Sequence, residues 1–294
     1  MKAAIVAGWV ADRIFGDPAR FHPVAGFGRV ADGLERVLWR PNRAAGAAHT
    51  AALVAGASLL GTARKPALRA ALVWVTLGGR SLELAALRLA AALRSGDIDR
   101  ARELAPTLVG RDPSELDADG LSRAAVESVA ENTSDAVVAP LLWAAVGGAR
   151  AVVAYRAINT LDAMVGHKDA RYREFGWAAA RLDDLVNWPA ARLTALLAIG
   201  AAPLVGGSPA AAWSGAWHDG RQHPSPNAGR VEGAFAGALG IRLGGVNRYS
   251  HGLERRADLG AGPAPAIADI ARAVTLARIV SVAALGVAVL VARR

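Results

Sequence analysis

Five stretches of the chain are dominated by Ala, Leu, Val and Gly and carry few charged positions. They run from Ala44 to Gly61, Pro66 to Gly79, Ala136 to Tyr155, Trp188 to Gly206 and Val274 to Ala292. A helix that crosses a bilayer needs about 20 apolar residues, and no stretch shows the sustained alternation typical of a strand. The pattern predicts an all-α, multi-pass integral membrane protein with about four or five membrane segments.

The five stretches differ in how well they fit a bilayer. The last is the clearest span, because its only charge, Arg278, lies near one end where a long side chain can reach the interface. The second is short unless it continues through Arg80. The third contains Pro140 and the pair Gly147 and Gly148, so we expect it to bend, with the motifs on both sides of it facing the cytosol.

Polar residues collect in long helical loops between the apolar stretches, and function is expected there because loops carry many binding and catalytic residues. These segments run from Asp12 to Arg43, Arg80 to Asp135 and Gly207 to Arg272. Helical composition recurs inside them at Leu82 to Leu93, Asp97 to Leu104 and Leu121 to Glu131. No linker rich in Gly, Ser or Pro divides the chain, so we expect a single domain over residues 1–294.

The composition supports a membrane protein and limits its chemistry. Hydrophobic residues make up 53% of the 294 positions and aromatic residues only 5%. The net charge of +9 raises the possibility of nucleic-acid binding. The basic residues are, however, spread over the interhelical segments, as in the cytoplasmic loops of membrane proteins, so we expect no nucleic-acid partner. The absence of cysteine excludes disulfides, thiolate nucleophiles and Cys-ligated metals. His, Asp, Glu and Asn must therefore carry any chemistry.

The segment ESVAENTSDAVVAP places three carboxylates against the start of an apolar stretch. Glu127, Glu131 and Asp135 stand four residues apart and would share a narrow arc of a continuous helix. Like charges so placed repel, so we expect a compensating arginine or metal ion. The alternative is that the polar residues end one helix and cap the next, with Ser134 or Asp135 as the N-cap before Ala136.

Two further segments, YRAINTLDAMVGH and ARLDDLVNW, each set an arginine, an amide and a carboxylate at three-residue steps. The positions are Arg156, Asn159 and Asp162 in the first and Arg181, Asp184 and Asn187 in the second. Each triplet covers one helix face. Ionisable groups beside an apolar segment are functional candidates, and structural salt bridges are the alternative.

The segment HPSPNAGRVEGAFAGALG begins with prolines that hold its start out of a helix, and Asn227 is predicted as the N-cap of a helix from Ala228. Small residues then recur at Gly229, Gly233 and Gly237. This ridge allows either close helix packing or close approach of a flat or anionic ligand. Near the N-terminus, GDPARFHPV offers Asp17 and His22, which are either turn residues or part of a site.

Six motifs occur in an order that resembles one known family. They are GDPARFHPV, GRDPSEL, ESVAENTSDAVVAPLLW, YRAINTLDAMVGH, FGWAAARLDDLVNW and HPSPNAGRVEGAFAGALGIRLGG. From about residue 8 to residue 250 the chain resembles the adenosylcobinamide-phosphate synthase (cobinamide synthase) family of cobalamin biosynthesis. One departure is Trp188-Pro189-Ala190-Ala191-Arg192, where the proline stands one step earlier than in the family's usual pattern.

The resemblance implies an ATP- and Mg²⁺-dependent ligase at the cell membrane with its active site facing the cytosol. It would join the ring-D propionate carboxylate of adenosylcobyric acid to the amine of 1-aminopropan-2-ol or its O-phosphate. The carboxylate would first be activated as an acyl phosphate, and the transferred phosphoryl group needs cationic clamps. The implied partners are these substrates, the lipid bilayer and other late enzymes of the pathway.

The resemblance also assigns site residues. The catalytic candidates are Glu127, Glu131, Asn132, Asp135, Asn159, Asp162, Arg181 and Asp184. The substrate-binding candidates are Asp17, His22, Arg156, Asn187, His223, Ser225, Asn227, Arg230 and Glu232. The implied Mg²⁺ ligands are Glu127, Glu131 and Asp135. Two alternatives stay open: a corrinoid-binding or transport protein, and a related membrane signalling protein without ligase activity.

Overall fold

The computed structural model describes residues 1–18, 22–109, 112–249 and 252–293, with the backbone alone for 246–249 and 252–255. Two parts of the motifs, Ala19 to Phe21 and Gly110 to Arg111, lie outside these residues. The α-helices are α1 Lys2–Phe15, α2 Pro23–Leu38, α3 Arg43–Leu60, α4 Pro66–Thr76, α5 Gly79–Arg94, α6 Ile98–Leu104, α7 Ala118–Thr133, α8 Ala139–Val165, α9 Trp177–Ala201, α10 Pro209–Trp217, α11 Ala228–Leu239 and α12 Ile267–Val291.

The all-α prediction is confirmed except for one antiparallel hairpin, β1 Leu243–Tyr249 with β2 Gly252–Leu259. Its sequence mixes glycine and charged residues, so apolar alternation does not reveal the strands. Gly244 and Gly245 both have positive φ, of 87° and 83°. A side chain at Gly244 would meet the Ala257 carbonyl across the hairpin, so this strand requires glycine there.

Four helical stretches in the described part of the chain are long and apolar enough to cross a membrane. They cover 66–94, 118–165, 177–205 and 267–291. This number agrees with the multi-pass prediction, and the second predicted span does continue, through α4 and α5. The stretch from 44 to 61 forms α3 but is not among the four.

The last span differs from its prediction. Helix α12 begins at Ile267 rather than near Val274, so Arg278 lies well inside it and not near one end. Its Nε donates to Oε2 of the buried Glu83 at 2.8 Å. An arginine inside this apolar helix therefore has a carboxylate partner, which offsets the cost of its charge.

Contacts between Cα atoms group the chain into two compact units. The first unit comprises Met1–Arg80, Asp135–Trp188 and Leu285–Arg294, and the second comprises Ser81–Ser134 and Pro189–Ala284. Each unit is discontinuous in sequence, so motifs that are distant along the chain meet inside one unit. The expectation of a single domain stays a prediction.

Two irregularities interrupt the helices that carry the motifs. A π-helical turn, Ser134–Val138, leads from α7 into α8, so neither Ser134 nor Asp135 caps a new helix. The predicted capping role is wrong because the chain never leaves a helical path there. Helix α8 breaks at Gly148, whose φ of 71° and ψ of −161° suit only glycine. The bend predicted for this segment is therefore present at Gly148.

The glycine ridge of α11 serves helix packing. An ideal Cβ on Gly233 would lie 2.1 Å from the Gly215 carbonyl oxygen, and one on Gly237 would lie 2.2 Å from that of Ala211. Both contacts join α11 to α10 inside the second unit. Of the two interpretations of this ridge, close helix packing is the one that the structure shows.

Candidate functional site

In the first unit, a partly buried carboxylate is held by amides. Asp183 on α9 accepts hydrogen bonds from Asn187 Nδ2 at 2.9 Å and from Asn159 Nδ2, on α8, at 3.3 Å. Arg156 Nη1 lies 3.4 Å from Asn159 Oδ1, so the guanidinium bonds the amide and not the carboxylate. We call these four residues the Asp183 network. Asp162 lies close enough to repel Asp183, which adds negative charge to this region.

Tyr155 connects the Asp183 network to the π-helical turn. Its hydroxyl lies 2.8 Å from Asn187 Oδ1 and 2.8 Å from the Asp135 carbonyl oxygen. Both Tyr155 and Asn187 are buried. A π turn changes the backbone hydrogen bonding of a helix and occurs often at functional sites. The tyrosine therefore fixes one end of the network to the irregular backbone of the ENTSD motif.

The two predicted triplets are brought together in part. Asn159 and Asn187 meet, but through Asp183, which the sequence analysis passed over in favour of Asp184. The missed signal was the four-residue spacing of Asp183 and Asn187, which also places two side chains on one helix face. Arg181 lies outside this network, on an exposed surface of α9.

In the second unit, arginines are held by neutral groups. Arg192 Nη1 donates to Asn227 Oδ1 at 2.6 Å. Arg230 Nη1 donates to the Ala216 carbonyl at 2.9 Å, and its guanidinium lies 5.5 Å from the Trp217 ring centroid. Burial lowers the pKa of Arg230, and the charge of Arg221 lowers it further. Arg192 and Arg230 also repel each other.

Arg192, Arg221 and Arg230 form what we call the arginine cluster. Guanidinium groups that gather near one another raise the local positive potential, and such potential favours phosphate or carboxylate ligands. Sequence reasoning found Arg230 but missed Arg192, which lies on α9, five residues after the end of the LDDLVN motif. Its signal was the departure Trp188-Pro189-Ala190-Ala191-Arg192, which ends in an arginine close to a motif.

The loop before α11 positions the other candidates of the HPSPNAGRVEGAFAGALG motif. Ser225 Oγ accepts from the backbone N–H groups of Asn227 and Ala228, at 3.3 and 3.1 Å. Helix α11 begins at Ala228 with Asn227 in the N-cap position, as predicted, but the Asn227 side chain makes no cap hydrogen bond and instead accepts from Arg192. His223 Nδ1 accepts from Ser225 N at 3.1 Å, and its Nε2 lies 3.9 Å from Oε1 of the buried Glu232.

The carboxylates of the ENTSD region have separate surroundings. Glu127 is buried, and its Oε1 accepts from Gly244 N at 2.9 Å and lies 4.0 Å from Arg123 Nε. Glu131 is exposed. Asn132 Nδ2 donates to the Ser128 carbonyl at 3.0 Å, one turn back on α7. Glu127 therefore anchors the hairpin, while Glu131 remains accessible.

The predicted metal ligands do not form a ready cluster. Across the described ranges, no three His, Cys, Asp or Glu side chains are placed to hold a metal ion together. Mg²⁺, however, commonly binds one or two carboxylates and completes its shell with water and substrate phosphates. An exposed Glu131 with a neighbouring amide at Asn132 fits that type of site, whereas a three-carboxylate cage does not.

The N-terminal candidates lie at the start of α2. His22 Nδ1 accepts from Val24 N at 3.1 Å and so caps this helix. His22 Nε2 lies 3.8 Å from Asp17 Oδ1. His22 therefore has a structural role as a helix cap, and a substrate-binding role for either residue stays a prediction.

These features define a multi-pass helical membrane protein with buried polar networks inside each compact unit. The chain belongs to the CobD/Cbib protein family, whose pattern matches residues 5–277. This confirms the family that the six motifs predicted. The cobalamin biosynthesis protein CobD of Mycobacterium tuberculosis H37Rv is 51% identical over 298 residues, covering 99% of this chain and 95% of the relative.

Relatives from other bacteria match over somewhat less of their length. The cobalamin biosynthesis protein CobD of Chromobacterium violaceum is 46% identical, covering 90% of this chain and 88% of the relative. That of Geobacter metallireducens is also 46% identical, covering 84% of this chain and 82% of the relative. No solved structure matches the chain.

Proposed function

We propose that the chain acts in cobalamin biosynthesis as an ATP-dependent amide ligase. It joins the ring-D propionate carboxylate of adenosylcobyric acid to the amine of 1-aminopropan-2-ol or its O-phosphate. Membership of the CobD/Cbib family and the names of the relatives support the pathway. The observation that carries the ligase proposal is the arginine cluster, because the reaction brings several anionic groups to one protein.

The arginine cluster is built to bind phosphate. Arg230 and Arg192 donate to carbonyl and amide oxygens, which orient the guanidinium groups. Hydrogen bonds from guanidinium to phosphate are charge-assisted and often bidentate. We assign the cluster to the phosphate of the aminopropanol substrate, so the phosphorylated amine is the preferred one.

The Asp183 network is a separate candidate within the first unit. Amide N–H groups that donate to a carboxylate favour its charged form, whereas burial opposes it. We assign Asn159 and Asn187 to hold the Asp183 carboxylate in place, and Asp183 to bind a cationic group.

ATP with Mg²⁺ supplies the activation of the substrate carboxylate when bound. Glu131 is the residue that we assign to the metal, because it is an exposed carboxylate beside the amide of Asn132. Glu131→Gln should raise the Mg²⁺ concentration needed for half-maximal turnover while thermal stability stays unchanged. A loss of stability with an unchanged Mg²⁺ requirement would instead assign Glu131 a structural role.

The test is product formation by the full chain. Membranes containing the protein should convert adenosylcobyric acid, Mg·ATP and aminopropanol phosphate to the corresponding cobinamide phosphate, detected by mass spectrometry. Membranes from the same host without the protein are the control. Absence of product with either amine, from folded protein, would reject the ligase proposal.

One observation favours the transport or corrinoid-binding alternative. Helix α8 is broken at Gly148 inside a stretch apolar enough to span, and interrupted helices are typical of transporters. If that alternative holds, the protein should bind adenosylcobyric acid without consuming ATP or forming the amide.

A further inference from the structure

An open groove lies along one side of the first unit, between α3, α8 and α9. Its volume is about 830 Å³, within the roughly 300–1,000 Å³ range of small-molecule sites. Alanine is the commonest residue of its floor, as at Ala51, Ala55 and Ala151. Neither the Asp183 network nor the arginine cluster uses this surface.

The groove follows the length of α3. At one end, an ideal Cβ on Gly46 would lie 1.7 Å from the Phe175 carbonyl, just before α9 begins. At the other end, one on Gly61 would lie 2.2 Å from the Arg150 Cα. The 18 residues of α3 span about 27 Å, close to the thickness of a bilayer core of about 30 Å.

Two arginines are the only charged residues that line the groove. Arg150 lies at the Gly61 end, and Arg181 lies one turn into α9 from the Phe175 end. Both are exposed, and Arg150 has no ion-pair partner within the residues that the structure describes. Arg181 interacts electrostatically with Asp184, further along α9.

The Arg181 end has the features of a membrane surface. Trp177, the first residue of α9, is 42% exposed, and the Arg43 guanidinium lies 5.1 Å from its ring centroid. Arg43 also pairs with Glu174 at 2.9 Å. Tryptophan and paired charges are typical of the level of lipid headgroups. From one turn deeper, the Arg181 side chain can extend toward that level.

We propose that this groove binds an anionic phospholipid, with an acyl chain along the alanine floor and the phosphate at Arg181 and Trp177. The apolar floor matches the chain, and an exposed guanidinium beside it matches a phosphate. Arg150 lies at the far end of the groove, so it contributes less to the same lipid. The site is independent of the proposed ligase activity.

The test measures lipid binding by the purified full chain in detergent, using native mass spectrometry. The probes are phosphatidylglycerol and phosphatidylcholine with identical acyl chains. Wild type should bind one phosphatidylglycerol at least about tenfold more tightly than phosphatidylcholine, and Arg181→Gln should remove that difference. Arg150→Gln should cause a smaller loss. The matched control Arg88→Gln, an exposed arginine on α5, should bind as wild type does.

A second pair of variants tests the groove itself. Ala51→Phe fills the floor and should weaken binding of both lipids, while Ala52→Phe, an exposed neighbour that does not line the groove, should not. Equal affinity for both lipids in wild type, or tight phosphatidylglycerol binding retained in Arg181→Gln, would overturn the proposal. The proposal would also be overturned if the wild-type protein were a dimer and Ala51→Phe dissociated it, because a second copy of the chain would then occupy the groove.

Discussion

In each compact unit, an ionisable side chain of the candidate site is hydrogen-bonded by neutral groups; it is a carboxylate in the first unit and a guanidinium in the second. In the first, Asp183 is bonded by the amides of Asn159 and Asn187. In the second, Arg230 is bonded by a carbonyl oxygen and lies over an indole ring. Elsewhere the chain pairs opposite charges directly, as Arg278 does with Glu83. In both candidate sites these partners are neutral groups, which position the side chain without supplying an opposite charge.

The units also differ in why their helices need glycine. In the first unit, Gly148 is required for its backbone conformation. In the second, Gly233 is required for space, because the Gly215 carbonyl lies against it. Conformational and steric requirements of glycine have different costs when alanine is introduced.

The largest effect is expected at this close contact in the second unit. Gly233→Ala should destabilise the protein by about 3 kcal/mol, since α10 and α11 must separate to admit a methyl group. Thermal unfolding in detergent measures it. Gly56→Ala on α3, where nothing lies within 4 Å, is the control and should be neutral or slightly stabilising. Equal stability of the two variants would show that α10 and α11 do not pack closely.

The next effect concerns the arginine cluster. Arg230→Gln should lower kcat/KM for aminopropanol phosphate by about 10- to 150-fold, the value of one charge-assisted hydrogen bond of about 1.5–3 kcal/mol. Turnover of unphosphorylated aminopropanol should fall much less. Arg94→Gln, an exposed change at the end of α5, is the control. An equal loss for both amines would assign Arg230 to ATP rather than to the amine phosphate.

A similar or smaller effect is expected for the Asp183 network. Asp183→Ala should cost about 1–3 kcal/mol of stability, because it leaves two amide groups without their acceptor. It should also lower turnover if Asp183 binds a cationic group of a substrate. Asp184→Ala is the matched control at the adjacent position and should change stability little. If Asp184→Ala were the more damaging change, the assignment made from the sequence would stand instead.

The smallest effect concerns the start of α11. Ser225→Ala should cost about 1 kcal/mol, the usual loss for a helix cap, whereas Ser225→Thr should retain most of the stability. Chemical denaturation or thermal melting distinguishes the two variants. Equal stabilities would mean that the Ser225 hydroxyl does not support the helix.

Much of the fold follows from the sequence alone. The number of membrane helices is fixed by apolar length, since an unpaired backbone in lipid is too costly to tolerate. The helix at α11 begins where the prolines end, because proline lacks the N–H that a helix interior needs. The family follows from six motifs in order, and it did not depend on any contact between them.

The partners of the polar residues were decided only by tertiary structure. Asp183 and Asp184 are chemically identical in sequence, and only the packing of α8 against α9 places Asn159 beside the first. Asn227 looks like a helix cap until Arg192, 35 positions away, takes its side chain. The glycine ridge could have met a ligand or a helix, and α10 occupies it. Spacing along a chain specifies which side chains share a helix face, but the neighbour that faces them comes from a distant segment.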